Sequence, residues 1–304
     1  SYNRGKIDKL NGSSFWQSSS WAGTAAAGIE DFLVEEGGRL GEVYGYKTDG
    51  FYTADDFTFD AEKGTYALKA GVNDCSSLIG GKVYPGSIKL KANEDGEYKK
   101  ERLGNTVPTV SGGFGLNARW KGFDFTAFFN YSLGNKIVNA TKLGSSFYSG
   151  SSKNWNINDH FTSANRYSWI DPSTGTNLLS SASIKANGEA WTINRLNEVN
   201  TGSSIWNPAA ATVMPLVDWA VEDGSFLRVN NITIGYTLPK LFVSKLNIQN
   251  IRIYVTGYNL HCFTKYSGTD PEVDCCTSTP MTPGIDYAAY PKSRSFVGGI
   301  NVTF

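Results

Sequence analysis

Few residues in this chain have the types and spacing that chemistry needs. KANEDGEYKKER at 91–102 has the outline of the calcium loop D-x-[DN]-x-[DN]-G-x5-E. Asn93, Asp95 and Gly96 fill its third, fifth and sixth positions, but Lys91 replaces the first acid and Arg102 the bidentate glutamate. Two cations in place of two anionic ligands do not hold a hard cation, so a polar turn is expected and no metal. His160 and His261 are far apart, and no G-x-S-x-G, H-E-x-x-H or P-loop pattern occurs, so neither enzyme nor cofactor is expected. Asp270-Pro271-Glu272 reads as a turn whose acids cap nearby backbone. Cys262 precedes the vicinal pair Cys275-Cys276, while Cys75 is remote. These are ordinary loop thiols or one bridge from Cys262, and spacing does not choose. The clearest binding signal is a set of tryptophans among Asn, Ser and Thr. Trp155, Trp169, Trp191 and Trp206 are the candidate substrate-binding residues, with Trp219 nearby. An aromatic face stacks on a sugar ring while amides bond its hydroxyls. Long loops also need aromatics to fold on themselves, so one or two of the five are expected to touch substrate.

Composition bounds the elements that carry these residues. The 304 residues include 28 basic and 28 acidic ones, a net charge of zero, which gives nucleic acid no basic surface. Aromatics at 13% and 33 glycines against 10 prolines favour β structure with tight turns. Mean hydropathy is -0.30, and no run of about 18 apolar residues forms a transmembrane helix. A membrane barrel is not excluded by that, since its signal per strand is weak. No charged and apolar leader opens the sequence, so any signal peptide is expected upstream or removed.

Period-two patterning places the strands. Phe114, Leu116, Ala118 and Trp120 share one parity, and after the two-residue turn Lys121-Gly122 so do Phe123, Phe125, Ala127, Phe129 and Tyr131. In SFLRVNNITIGYT at 225–237, Leu227 and Val229 have one parity, Ile232, Ile234 and Tyr236 the other. A bulge at Asn230-Asn231 would put all five on one face. Ile251, Ile253 and Val255 alternate in a returning strand, and Phe296, Ile300, Val302 and Phe304 in a closing one. Weaker strands are expected at 1–10 and 41–53, with short ones at 65–69 and 87–91. Residues 11–40 read as a connector, 240–249 as a short connector with a helical turn, and 132–220 as loop. The connections at 121–122 and 238–250 are short. Those at 54–111, 132–224 and 261–291 are long, and alternating strands put all three at one end. That asymmetry implies an outer-membrane barrel, greasy parity to lipid and polar parity to the lumen. The alternative is a soluble all-β carbohydrate-binding module that buries the same parity in a core.

VEDGSFLRVNNITIGYTLP at 221–239, IRIYVTGYNLHCFTKYSGTDPEV at 251–273 and GINVTF at 299–304 resemble, in order, the C-terminal region of the SusC/RagA family of TonB-linked outer-membrane transporters. GEVYGYKTDGFYT at 41–53 and RLGNTVPTVSGGFGLNARWKGFDFTAFFNYSLGN at 102–135 are similar to earlier family segments. The resemblance implies a 22-stranded barrel with an N-terminal plug and a TonB-contacting segment, neither of which this chain contains. Residues 1–304 are then its C-terminal third, a curved open sheet of antiparallel strands with two unpaired edges and long external loops. It also implies residence in the cell outer membrane, a SusD-like lipoprotein partner, and import of a glycan or peptide oligomer. A siderophore or cobalamin is the alternative cargo. Phe304 resembles the terminal aromatic by which such barrels are recognised for insertion. The residues expected to face lipid are Phe114, Leu116, Phe125, Phe129, Ile232, Ile234, Ile253, Val255, Ile300, Val302 and Phe304.

Overall fold

The computed structural model describes residues 1–2, 4–18, 30–148, 156–243, 248–272, 274 and 281–304. In chain order the strands are β1 (Phe15–Ser18), β2 (Glu30–Val34), β3 (Glu42–Gly45), β4 (Thr48–Phe51), β5 (Phe57–Asp60), β6 (Thr65–Leu68), β7 (Ile88–Leu90), β8 (Glu101–Asn105), β9 (Val110–Trp120), β10 (Phe123–Leu133), β11 (Lys136–Asn139), β12 (Val221–Asp223), β13 (Phe226–Thr237), β14 (Asn250–Thr264), β15 (Ile285–Asp286) and β16 (Ser295–Thr303). The α-helices are α1 (Ser76–Ile79), α2 (Ala140–Gly144), α3 (Ser181–Val199) and α4 (Lys240–Val243).

Five long strands form one antiparallel sheet in the order β16-β14-β13-β10-β9. We call it the wall. The β9–β10 turn has both central residues at positive φ, Lys121 at 46° and Gly122 at 88°, which matches the twist of a tight hairpin. Register then sets the faces. Trp120, Phe123, Tyr236, Ile253 and Ile300 pair in one row, and Ala118, Phe125, Ile234, Val255 and Gly298 in the next. Leu116, Ala127, Ile232, Gly257 and Phe296 follow, then Phe114, Phe129 and Val229, with the Phe114 and Phe129 rings stacked at 4.9 Å. Leu116, Ile234, Val255 and Ile300 are 53%, 55%, 54% and 64% exposed, so nothing among the described residues covers this face. A soluble sandwich would bury it. The opposite face is polar: Thr126 donates to Asn117 at 3.0 Å, and the Thr233 and Thr256 hydroxyls share a 2.8 Å hydrogen bond.

The parity slip in β13 has its expected cause. Phe128 pairs with Asn231 and Phe129 with Val229, so Asn230 is skipped. Val229 and Ile232 thereby face the same way. The distortion continues into β14, where Val229 pairs with His261 but Asn231 with Tyr258. Asn259 sits there in the left-handed region at φ 51°, and its amide donates to Ser293 O at 3.0 Å.

The wall connections leave two short links at one end and three long segments at the other. At that far end the long segments fold together around a second core. Its fully buried members include Phe57 of β5, Ile184 and Leu196 of α3, Leu178, Leu216, Val217 and Ile285. The β5–β6 hairpin lies on α3, where the Phe59 N–H donates to Glu189 Oε1 at 3.0 Å. Here the structure corrects the sequence reading in three places. Residues 132–220 are not simply loop, because they contain β11, α2 and the long α3. The 11–40 connector holds β1 and β2, which join β3 and β8 in a four-stranded sheet. Residues 41–53 form β3 and β4 within the folded loops, and 1–10 contribute only a bridge from Tyr2 to Val110, so neither adds a wall strand. The short strands expected at 65–69 and 87–91 and the turn of helix after 239 are present as β6, β7 and α4.

Candidate functional site

The polar face of the wall carries two sets of charges. Near the β9–β10 turn, Asp124 of β10 accepts from Arg252 of β14 at 2.8 and 2.5 Å. The pair passes over β13 at Gly235, where an added Cβ would lie 2.5 Å from both partners. At the far end stands Arg228 of β13, which pairs with Asn130 and Cys262 across the sheet. It is buried, and its Nη2 donates to Asp270 Oδ1 at 2.5 Å. Its Nε lies 2.6 Å from Glu272 Oε2, close in charge but off the hydrogen-bonding line. Asn130 and Lys292 donate to the same carboxylate at 3.2 and 2.8 Å.

Asp270-Pro271-Glu272 therefore does more than cap a turn. Asp270 does accept from the backbone N–H of Glu272 at 2.9 Å and of Lys292 at 3.3 Å. Both acids also fix the β14–β16 loop to the inside of the wall. Further along, that loop reaches β11, where β15 pairs in parallel through Val138–Ile285 and Asn139–Asp286. Gly284, at φ 77°, presses on Thr106, which an added Cβ would meet at 2.6 Å. The loop thus crosses the inner face of β13 and β10. Removing one member of such a buried pair typically costs about 3–5 kcal/mol. Arg228 carried no sequence signal beyond its polar parity.

Glu222 of β12 ties three segments together. It accepts from the Ser267 N–H at 2.8 Å, the Ser267 hydroxyl at 2.7 Å and Asn139 at 3.2 Å, with Lys142 Nζ at 3.1 Å. Burial works to raise its pKa, but Ser267 and Lys142 outweigh it and hold the carboxyl below its ordinary value. Lys142 also donates to Trp219 O at 2.9 Å and lies over the Trp219 ring at 4.1 Å. Tyr266 is pushed well above a normal phenol by burial and by donating to Asp286 at 2.6 Å.

These segments enclose a cleft of ≈ 360 Å³. Asn139, Lys142, Asn158 and His160 line one side, and Ser267, Asp286 and Tyr290 belong to the latched loop. Tyr290 is 90% exposed. Ala288 on the rim has φ 54°, a strained conformation for a residue with a Cβ, and its N–H donates to Thr141 Oγ1 at 2.7 Å.

The tryptophans divide by exposure. Trp206 is buried, donates to Ser146 O at 3.1 Å and packs on Phe161 and Trp219, so its ring is filled by protein. Trp169 donates to Pro85 O at 2.6 Å and leans on Tyr84 at 5.6 Å, half in the core. Trp191 projects from α3 at 43% exposure, and Trp155 lies outside the described residues. Cys275 and Cys276 also lie outside them, Cys262 carries a free thiol, and Cys75 is buried against the Tyr52 hydroxyl at 3.4 Å. In the 91–102 segment, Asn93 Oδ1 accepts from the N–H groups of Asp95 and Glu97 at 3.1 and 2.7 Å, closing a turn around Gly96. No group of three or more metal-ligating side chains occurs among the described residues.

A two-faced antiparallel wall with its folded connections at one end is a section of an outer-membrane-type barrel, open here at both edges. Solved structures of the RagAB peptide transporter, and of the RagAB peptide importer in its open-open state, match the whole chain at TM-scores of 0.54 and 0.53, with 21% and 20% identity. The match takes up 26% of each of those chains. No protein-family model matches. TonB-dependent receptor P3 of Formosa agariphila is 30% identical over 277 residues, 90% of this chain and 23% of the receptor. TonB-dependent receptor SusC of Bacteroides thetaiotaomicron is 34% identical over 89 residues, 29% of this chain and 8% of SusC. The chain belongs with the TonB-dependent receptors of the SusC/RagA type, and spans about a quarter of the length of the curated relatives it matches.

Proposed function

We propose that the chain is the C-terminal part of a protein of the cell outer membrane that imports an oligomeric nutrient, a glycan, under the action of TonB. The observation that carries this reading is the wall itself. Its greasy face is uncovered, and its polar face is overlaid at one end by loops that enclose a cleft. Phe114, Leu116, Phe125, Phe129, Ile232, Ile234, Ile253, Val255, Ile300, Val302 and Phe304 then face lipid. The plug, the remaining strands and the TonB-contacting region lie N-terminal to these residues, and a SusD-like lipoprotein covers the external side. Glycan is preferred to peptide because amides, hydroxyls and carboxylates of the cleft stand beside the exposed Tyr290 ring, and the rest of its apolar lining is Ala288, Ala289 and Pro291, with no large aliphatic side chain. Among the four candidate tryptophans, Trp191 is the described one with an accessible ring.

The test uses the full-length transporter with its lipoprotein partner, in cells with and without TonB. Labelled oligosaccharides and a tryptic peptide pool are supplied in parallel, and uptake is counted. TonB-dependent accumulation of saccharide is expected. Accumulation of peptide alone would overturn the glycan reading and keep the transporter.

A further inference from the structure

The cleft and the Arg228 ion cluster share one loop. Ser267, Gly268 and Thr269 line the cleft immediately before Asp270, and Asp286 and Ala288 to Pro291 line it shortly before Lys292. Asp270 and Lys292 both belong to the cluster, with Glu272 between them in sequence. The loop is therefore pinned at both margins of the cleft, on the inner side of the wall, and pinned again by Glu222 through Ser267. A segment held at three points by charged hydrogen bonds is a fixed wall rather than a swinging lid.

The chemistry exposed in the cleft is selective. Lys142, the one lysine or arginine in its lining, is already paired with Glu222, so an anionic ligand finds little to bind. Asn158 and Asp159 offer amide and carboxylate groups suited to paired hydroxyls, whereas Asn139 and Asp286 are buried and already bonded, Asn139 to Glu222 and the Lys142 N–H and Asp286 to the Tyr266 hydroxyl. Tyr290 presents an almost fully exposed ring on the rim, an apolar face with a polar tip. The volume is within the range of small-molecule sites, about 300–1,000 Å³. Strain at Ala288, two residues before Tyr290, is retained at the same rim.

We propose that this cleft is a saccharide subsite: Tyr290 stacks on a neutral pyranose ring, Asn158 and Asp159 bond its hydroxyls, and the Arg228 cluster holds the loop in the binding shape. The assignment rests on the import reading above and adds to it the place and the residues. Arg228 is a positioning residue here, since it does not reach the cleft.

The test is a binding titration on the purified full-length transporter, with malto-, manno-, xylo- and fructo-oligosaccharides and a tryptic peptide pool as probes. Tyr290→Ala should weaken binding of the recognised saccharide about five- to tenfold, and Tyr290→Trp should restore it. Because Tyr290 is exposed, neither change threatens folding. Arg228→Ala should weaken binding as well, and should raise hydrogen exchange in residues 265–272 and 281–292, which Tyr290→Ala leaves unchanged. If the parent binds a saccharide and Tyr290→Ala binds it equally well, the subsite is wrong and the import reading stands. If the parent binds only peptide, or no probe at all, both the subsite and the glycan reading fall.

Discussion

The wall and the folded loops draw on the same apolar side chains and place them oppositely. Leu116, Ile234, Val255 and Ile300 are more than half exposed on the wall, whereas Ile184, Leu196, Val217 and Ile285 are wholly buried in the loops. A sheet and a globule in water would both hide these groups. The inversion stays within one chain, so composition cannot explain it. On the proposed reading, what differs is the solvent each region is built for: hydrocarbon against the wall, water against the loops.

That contrast can be broken by substitution. The largest effect is expected in the loop core. Trp206→Ala removes a buried ring and the bond to Ser146, and should cost the loop assembly about 3–5 kcal/mol. Hydrogen exchange of the full-length protein in detergent should show the loops opening while the wall stays protected. Loss of protection in both together would mean that the two regions are a single cooperative unit.

Next is a neighbouring pair in β9. Leu116→Arg puts a cation on the greasy face and should cost about 2–4 kcal/mol if that face meets the bilayer midplane. Asn117→Arg, one residue on and facing the polar side, should be much milder, because its charge remains hydrated. The yield of heat-resistant folded protein in outer-membrane fractions measures both. Equal yields would remove the distinction between the faces.

A smaller effect concerns pH. Two bonds from Arg195, each 2.7 Å, hold the Asp171 carboxyl far below the usual carboxylate range. Since the folded value is depressed, the stabilisation is present above the unfolded value of about 4 and is lost as pH falls through the lower folded value. Arg195→Gln should therefore loosen the loops at pH 7, as seen by exchange around Asp171. The gap from the parent should close in strong acid. A gap that is constant with pH would assign the effect to packing of the arginine stem instead.

The smallest is local to the wall. Asn259→Val places a β-branched residue in the left-handed region and should cost about 1–2 kcal/mol, while Asn259→Gly should cost less, through the bond to Ser293 alone. Thermal unfolding of the two variants separates them.

How much of this was legible in the sequence follows from the same contrast. The wall was readable because one exposed greasy face forces strict alternation, as in Phe123 to Tyr131. Even its exception, the phase slip between Val229 and Ile232, was visible as the bulge. The loops were not, because their order is non-local. Helix α3 buries only Ser183, Ile184, Thr192 and Leu196 and is broken at Gly188, so it leaves almost no period of 3.6. Its one local sign is Ser180, whose side chain accepts from the Ser183 N–H. Tryptophan content pointed to binding, yet Trp206 serves the loop core. Tyr290, more accessible than Trp191, stood in a stretch without pattern. Arg228 and Glu222 become informative only when the chain brings Asp270 and Ser267, 42 and 45 positions further on, back to them.

The notch at Gly235 resolves an ambiguity that alternation leaves open. A strand shifted by one residue turns its apolar side chains the wrong way, and hydrophobicity rejects it. A shift by two restores every facing and moves the strand about 6.8 Å, so greasy and polar parity alone cannot detect the mistake. The bond between Asp124 and Arg252 can. It needs a strand position without a side chain directly beneath it, and only one alignment of β10, β13 and β14 puts Gly235 there. Thr233 and Thr237, two residues to either side, would block it. An assembly pathway that adds strands one after another thus has a vernier mark at this point, read once by charge and once by shape.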